Sequence, residues 1–188
     1  GNPKDRYFTN IQWSPDGKKI YLIEVNRDQT DMSLDRYDAT TGVKEATLYT
    51  EHHDKYVHPV TAITFLPWDS EKFILQSEKD GFNHLYLFNT KGEQLKQLTD
   101  GHWVVIDLVG FNVAKKSAII LSTECGDIQN NLFAVDIATG KRKLLDNGRG
   151  MHGNHWQPSG HHNEILSASG ALLFDRYSEP DVPRVINI

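Results

Sequence analysis

Four histidines within one short stretch are the side chains of this sequence best suited to metal chemistry. They are His152, His155, His161 and His162. Imidazole is a common ligand of transition metals, and spacings of three and six residues would let several rings on one loop converge. The stretch has neither a thiolate cluster nor a clear carboxylate partner. We therefore expect solvated loop histidines and no bound metal.

The glycines that precede these histidines match a nucleotide-binding pattern. Residues 148–153, with the sequence GRGMHG, have glycines at the spacing of a dinucleotide fingerprint. That fingerprint needs a strand before it and a helix after it, because the helix N-terminus receives the phosphates. His155, Trp156 and Pro158 follow instead, and no helix can begin there. We predict an ordinary loop and no cofactor.

Nucleophilic side chains are few and lack the surroundings that catalysis requires. A serine nucleophile on a strand-turn-helix elbow needs a Gly-x-Ser-x-Gly pentapeptide, and the chain contains none. Ser167 and Ser169 fall in a predicted hairpin turn, and Cys125 follows a predicted strand at 118–124. His52 and His53 beside Asp54 have even less weight as metal ligands than the later histidines. The sequence thus assigns no catalytic residue.

The elements that would position any site recur along the chain as one unit. Each unit opens with an apolar strand and a turn, as in Ile11–Gly17, and later carries an alternating strand that ends in a tight turn. The glycines of those turns, Gly42, Gly92 and Gly140, lie 50 and 48 residues apart. A period of roughly 40–50 residues with four strands is typical of a β-propeller blade.

The predicted fold is therefore all-β, a partial β-propeller with about three complete four-stranded blades and an incomplete fourth. The blades are predicted near residues 8–50, 60–99, 104–146 and 163–188. The opening turn of the fourth could lie at 156–160 or at 166–170; we prefer 166–170, because the apolar run 171–177 follows it directly. Residues 183–188 would then form a third strand, and 148–160 an inserted loop.

An incomplete blade leaves backbone hydrogen-bonding groups unpaired at its edge. We therefore expect this chain to be a piece of a longer protein, whose missing blades would cover the open faces. In isolation, two copies could pair through exposed edge strands.

Composition narrows the classes of partner. The formal charge of −5 and the isoelectric point near 6.0, with basic and acidic residues interspersed, argue against nucleic acid. No stretch approaches the roughly 18 apolar residues of a membrane span. The single cysteine cannot form an internal disulfide, so cysteine content does not indicate whether the protein is in an oxidising or a reducing compartment.

Several segments resemble the propeller of bacterial dipeptidyl peptidase IV-like enzymes, and together they cover nearly the whole chain. The segments 76–86 (QSEKDGFNHLY) and 101–105 (GHWVV) are the most specific of them. The other similar segments are 7–17, 24–29, 55–57, 65–67, 98–100 and 177–185.

This resemblance implies a secreted or periplasmic serine exopeptidase that removes dipeptides from peptide N-termini, with proline or alanine second. In that family an eight-bladed propeller caps an α/β-hydrolase domain that carries the Ser-Asp-His triad. The family's amine-binding glutamates and its arginine precede the matched region, and the triad follows it. The chain would then form a wall of the substrate chamber, with the remaining blades and the hydrolase domain as its partners.

Two residues are candidates for contact with a peptide substrate. After Tyr56 and Val57 the bacterial family usually has an acidic residue before proline, whereas this chain has His58 and Pro59. In the animal enzymes the corresponding loop lines an extended substrate subsite. The resemblance therefore makes Tyr56 and His58 the substrate-adjacent candidates.

Two other architectures remain open on the sequence alone. The turn Ser14–Gly17 is also similar to turns of TolB-like propellers, which would make the chain a protein-binding module of the cell envelope without a hydrolase domain. A self-contained four-bladed propeller is disfavoured by the missing last strand of the fourth unit.

Overall fold

The computed structural model describes residues 5–153 and 166–188 of the chain. The chain divides into two compact units, Gly1–Gln97 and Leu98–Ile188. Among the described residues, no helix is long and apolar enough to cross a membrane.

The first unit contains two four-stranded antiparallel sheets, each a meander in which neighbouring strands follow one another in sequence. The strands of the first sheet are β1 (Arg6–Trp13), β2 (Lys19–Asn26), β3 (Asp31–Asp38) and β4 (Lys44–His52). Those of the second are β5 (Thr64–Leu66), β6 (Asp69–Ser77), β7 (His84–Asn89) and β8 (Gln94–Gln97).

The second unit contains one more four-stranded meander and a two-stranded hairpin. The meander consists of β9 (Val105–Asn112), β10 (Ser117–Ser122), β11 (Asn131–Asp136) and β12 (Arg142–Leu144). The hairpin consists of β13 (Asp175–Glu179) and β14 (Val182–Asn187). Three four-stranded meanders and a partial fourth, all-β throughout the described residues, confirm the predicted class of a partial β-propeller.

Apolar side chains on one face of each sheet form the core of the first unit. Strand β2 alternates so that Tyr21 and Ile23 point to the same side, where they meet Phe73 of β6 and Phe88 of β7. The Phe73 and Phe88 rings stack with centroids 5.8 Å apart, and the Tyr21 ring meets Phe65 edge-on at 5.3 Å. Such aromatic pairs contribute about 0.5–1.5 kcal/mol each beyond the area they bury.

The other face of the first sheet is polar and partly buried. The carboxylate of Asp35 is fully buried and accepts hydrogen bonds from the Thr47 hydroxyl at 2.6 Å and the Lys44 ammonium at 2.8 Å. Glu24, also buried, pairs with Arg6 at 2.7 Å. Each buried carboxylate thus has a cationic partner, without which its burial would be costly.

The opening turn of the fourth unit repeats the hydrogen bonds of the first. The Ser14 N–H donates to Lys19 O at 2.9 Å, and the Lys19 N–H donates back to the Ser14 hydroxyl at 2.9 Å. Ser167 and Leu172 make the same pair of bonds, at 2.9 and 3.0 Å. The repeat supports the preferred opening turn at 166–170; the competing turn at 156–160 lies outside the described residues.

Two strands begin later than predicted. The second blade, predicted from about residue 60, has its first strand only at Thr64–Leu66, after Pro59, which has no N–H to offer a ladder. Before β13, Leu172 is bonded to Ser167 in the turn, so the predicted strand at 171–177 starts only at Asp175.

The predicted tight turn that closes each complete blade is an Asx turn, formed by Asp38, Asn89 and Asp136. In the first, Asp38 accepts the N–H of Thr41 at 2.9 Å, and Gly42 follows with φ +70°. The equivalent Gly92, with φ +91°, lies so close to the first sheet that a Cβ there would be 2.5 Å from Leu48 O. Glycine is thus required at 92 by space as well as by backbone conformation.

We expect Gly170→Ala to destabilise the protein more than Gly17→Ala, although both glycines end the same kind of turn. Both have positive φ, +68° and +71°, so each alanine bears the left-handed penalty of about 1–2 kcal/mol. At 170 the added Cβ would also lie 1.9 Å from Phe111 O, whereas at 17 nothing lies within 4 Å. Overpacking of that kind adds about 1–3 kcal/mol. Urea unfolding of both variants measures the difference, and equal losses would contradict the close approach of Gly170 to β9.

Candidate functional site

The loop between β4 and β5 carries the two predicted substrate-contact residues and is held in place at three points. The His53 N–H donates to Thr30 O at 2.9 Å, and the Val57 N–H donates to Gln29 O at 2.7 Å. Asn10, in the bulge of β1, donates from its side-chain amide to Pro59 O at 2.9 Å. The loop is therefore fastened on both sides of its tip.

Tyr56 and His58 flank a buried anchor and both face outward. Val57 between them is 5% exposed and belongs to the core of the first unit, whereas Tyr56 and the His58 side chain are each 59% exposed. The Nδ1 of His58 lies 3.2 Å from Glu78 Oε1. The buried Val57 anchors the loop backbone between them, so an aromatic ring and an imidazole are displayed at the surface. Such side chains can contact a ligand by stacking and hydrogen bonding.

His52 and His53, at the start of this loop, have structural partners. The Nδ1 of His52 lies 2.7 Å from Asp31 Oδ1 and its Nε2 lies 3.4 Å from Asp54. The hydrogen bond with Asp31 raises the pKa of His52 above its ordinary value. His53 Nδ1 accepts the backbone N–H groups of Lys55 and Tyr56 at 3.1 and 3.2 Å. These contacts shape the start of the loop.

One member of the histidine stretch is not solvated, contrary to our prediction. His152 is 2% exposed, and its Nδ1 lies 2.8 Å from Asp175 Oδ2 and 3.7 Å from Asp146 Oδ2. Its Nε2 lies 2.8 Å from Arg149 O and 3.1 Å from Asn147 Oδ1. We call His152, Asp146, Asp175 and the Arg149 carbonyl the histidine clamp.

The rest of that stretch, His155, His161 and His162, lies outside the described residues. Within 5–153 and 166–188, no three histidine, cysteine or acidic side chains are grouped so that they could hold a metal ion. The clamp was missed in the sequence because Asp175 is 23 residues from His152, and nothing local marks the two as neighbours.

The glycine pattern at 148–153 has a structural role. Gly148, Gly150 and Gly153 have φ of +73°, +74° and +77°. Between them Met151 bridges two elements: it pairs in parallel with Asn130, next to β11, and antiparallel with Ser178 of β13. The glycines thus let the chain run between the third blade and the hairpin of the fourth.

The nucleophilic side chains are engaged in structure. The Ser167 hydroxyl accepts the Leu172 N–H at 3.0 Å, and the Ser169 hydroxyl accepts the Ala171 N–H at 3.3 Å. Burial and the nearby carboxylates of Asp146 and Glu124 raise the pKa of the Cys125 thiol, which disfavours the reactive thiolate.

Lys79 makes cation–π contacts with core aromatic rings, which the sequence did not reveal. Its ammonium lies over the Tyr86 ring, 4.0 Å from the centroid, and 5.2 Å from that of Tyr49. Burial lowers the pKa of Lys79, opposed by the charges of Glu51 and Asp80. The lysine packs one end of the first unit's core, a role that no local motif signals.

The repeated four-stranded antiparallel meanders, each closed by an Asx turn, place this protein in the β-propeller class. Within that class, the sequence model of the dipeptidyl peptidase IV N-terminal region matches residues 1–184. The chain belongs to this family, which confirms the resemblance seen in the sequence.

Solved structures agree with this assignment. A Bacteroides ovatus protein named as a dipeptidyl aminopeptidase IV is 42% identical, with a TM-score of 0.83 over 100% of this chain and 28% of its own. Dipeptidyl peptidase 4 of Porphyromonas gingivalis shares the fold, with a TM-score of 0.80 over 99% of this chain and 25% of its own, at 24% identity.

Curated fungal relatives carry related names. Proteins named as dipeptidyl peptidase 4 are 28% identical in Emericella nidulans, over 70% of this chain and 16% of the relative, and 25% identical in Aspergillus flavus, over 94% and 20%. The chain therefore spans at most about a fifth of the length of these two relatives.

Because Val57 anchors the loop and its neighbours do not, we expect their substitutions to differ in cost. Val57→Ala removes two buried methyl-sized groups and should lower the free energy of unfolding by about 2 kcal/mol. Tyr56→Ala and His58→Ala should each change it by less than about 0.5 kcal/mol, as exposed positions usually do. Chemical unfolding of the three variants checks this; a large loss from Tyr56→Ala would mean that the ring supports the loop rather than being displayed by it.

Proposed function

We propose that this chain is the non-catalytic propeller portion of a dipeptidyl peptidase IV-like serine exopeptidase, and that it shapes and gates the substrate chamber. The family match over residues 1–184 carries the proposal. The parent enzyme would remove X-Pro or X-Ala dipeptides from peptide N-termini. By the family resemblance, its triad would lie in an α/β-hydrolase domain of the parent protein. In this chain, Ser167 and Ser169 bond within a turn, and the pKa of the Cys125 thiol is raised.

Within this function, Tyr56 and His58 would contact the peptide beyond the cleaved dipeptide. Support comes from the fastened loop, which would lower the entropy lost when a ligand binds. The partner of His58, Glu78, would fix the ring's orientation toward a passing backbone. Because the single N–H of the neutral ring is directed to Glu78, its Nε2 is free to accept a hydrogen bond from a backbone N–H of the peptide.

We also propose a periplasmic or secreted location, from the resemblance alone. Cell fractionation of the native host with an antibody to this chain tests it.

A TolB-like binding module in the cell envelope is the alternative, favoured by the Ser14 turn. It predicts a reading frame without a hydrolase domain. A Gly-x-Ser-x-Gly sequence downstream, followed by the other triad residues, would exclude it.

The proposal that this chain is non-catalytic and that another domain holds the triad can be tested by a direct assay. The purified 188-residue chain should not cleave a Gly-Pro chromogenic substrate, whereas the protein from the complete reading frame should cleave it. Cleavage by the short chain would contradict a non-catalytic role, and no cleavage by the complete protein would contradict the exopeptidase assignment.

The contact residues are tested in the complete protein. We expect Tyr56→Ala and His58→Ala to raise KM for peptides of five or more residues about threefold to tenfold, as expected for roughly 1 kcal/mol of lost contact. KM for the dipeptide substrate should stay within about twofold. His52→Ala, another exposed histidine at the edge of the loop, is the matched control. Equal effects on long and short substrates would place the two residues outside the peptide's path.

A further inference from the structure

The bonding pattern of the histidine clamp determines the protonation state of His152. Nδ1 faces a carboxylate oxygen of Asp175, and Nε2 faces the carbonyl oxygen of Arg149. Both partners can only accept hydrogen bonds, whereas a neutral imidazole has a single N–H to donate. Both contacts are satisfied together only when both ring nitrogens carry a proton. The folded arrangement therefore requires the imidazolium.

The groups around the ring favour this charge. Asp175 faces it from β13, Asp146 faces it from two residues beyond β12, and the Tyr177 ring stacks on it at 4.7 Å. The Arg149 side chain points away to Glu179, at 3.4 Å, and is exposed. Burial alone would lower the pKa of His152, but the hydrogen bond to Asp175 and the charges of both aspartates outweigh it and raise the pKa.

The clamp closes on the segment that joins two structural elements of the second unit. The Met151 N–H donates to Ser178 O at 2.9 Å, and the His152 N–H donates to Asn130 O at 2.8 Å. Asp146 holds the other end of the segment, since it accepts the N–H groups of Leu132 at 2.6 Å and Gly148 at 2.8 Å. The charged ring thus connects the joining segment, residues 147–153, to the hairpin of the fourth blade.

We propose that the histidine clamp is a pH-dependent fastener: protonated His152 helps to hold residues 147–153 against β13, and loss of its proton loosens them. The neutral ring can keep only one of its two donor contacts and leaves either the Asp175 carboxylate or the Arg149 carbonyl facing a nitrogen lone pair.

The direction of the pH effect follows from the linkage between protonation and folding. A histidine whose folded pKa is raised stabilises fully below its unfolded value of about 6.5 and loses that contribution as pH rises through the folded pKa. The segment should therefore be fastened in mildly acidic solution and loosen as the solution becomes alkaline.

Nitrogen-edited NMR of the 188-residue protein tests the protonation state itself. The ring of His152, assigned through its proximity to the Tyr177 ring 4.7 Å away, should have both nitrogens protonated at about pH 6.5, with a transition above the ordinary histidine value. A singly protonated ring at that pH, or a transition below the ordinary histidine value, would overturn the proposal. This measurement needs no variant, so it does not depend on whether a substituted protein folds.

Trypsin cleavage after Arg149 tests the release, because the carbonyl of that scissile bond is the one that His152 holds. Rates are divided by those of an unstructured arginine peptide at the same pH, which removes the protease's own pH dependence. We expect the normalised rate to rise about tenfold or more from about pH 6 to about pH 9. His152→Gln and Asp175→Asn should already be cleaved quickly at about pH 6, with little further rise.

The control variant is His52→Gln, which removes an exposed histidine that also pairs with an aspartate. It should follow the unsubstituted protein at every pH. An equally steep rise in His152→Gln would show that another group controls the segment and would refute the clamp.

Discussion

Burial of an apolar sheet face against a second sheet is the interaction on which the rest of this structure depends. A meander satisfies its own internal hydrogen bonds, but its apolar face becomes stabilising only when a neighbour removes it from water. In the first unit Ile23 of the first sheet and Phe73 of the second belong to one shared hydrophobic core. The second unit repeats the arrangement on a smaller scale, where Leu121 and Leu132 pack with Leu166 and Leu173. The loop with Tyr56 and the segment with His152 are both held by backbone that these cores fix in place.

Charge inside the structure follows a different rule from apolar burial. Asp35 and His152 are both almost completely enclosed, and each is surrounded by groups of opposite charge or complementary hydrogen-bonding capacity. Buried ion pairs add little net stability over an apolar replacement, yet removal of one partner is costly. Such pairs therefore specify which segments meet, and the apolar cores provide the energy. Asp35 joins two strands of the first sheet in this way, and His152 joins the segment after β12 to β13.

The sequence predicted what is local and periodic, and it did not reveal what is distant. The Asx turns ending at Gly42 and Gly140 and the turn at Ser14 have fixed residue types at fixed offsets, so the blade count and most strands followed from them. The family was recognisable from short specific segments for the same reason. The burial of His152 depends on a carboxylate from another strand, and the position of Lys79 over Tyr86 depends on how a long side chain folds back. Neither contact can be read from residue spacing, because the partners meet only after the chain between them has folded.

The turn glycines of successive blades also differ in how much room surrounds them. A side chain at 92 would strike the backbone of Leu48, whereas one at 42 would meet nothing within 4 Å. The turn at Gly42 thus has open space around it, whereas the turn at Gly92 packs against the neighbouring sheet. A fluorophore, an affinity tag or a short grafted peptide can be carried at residue 42 without parting neighbouring sheets. The same insertion at residue 92 would push the two sheets apart. Gly42 is therefore the better of the two positions for attaching a label.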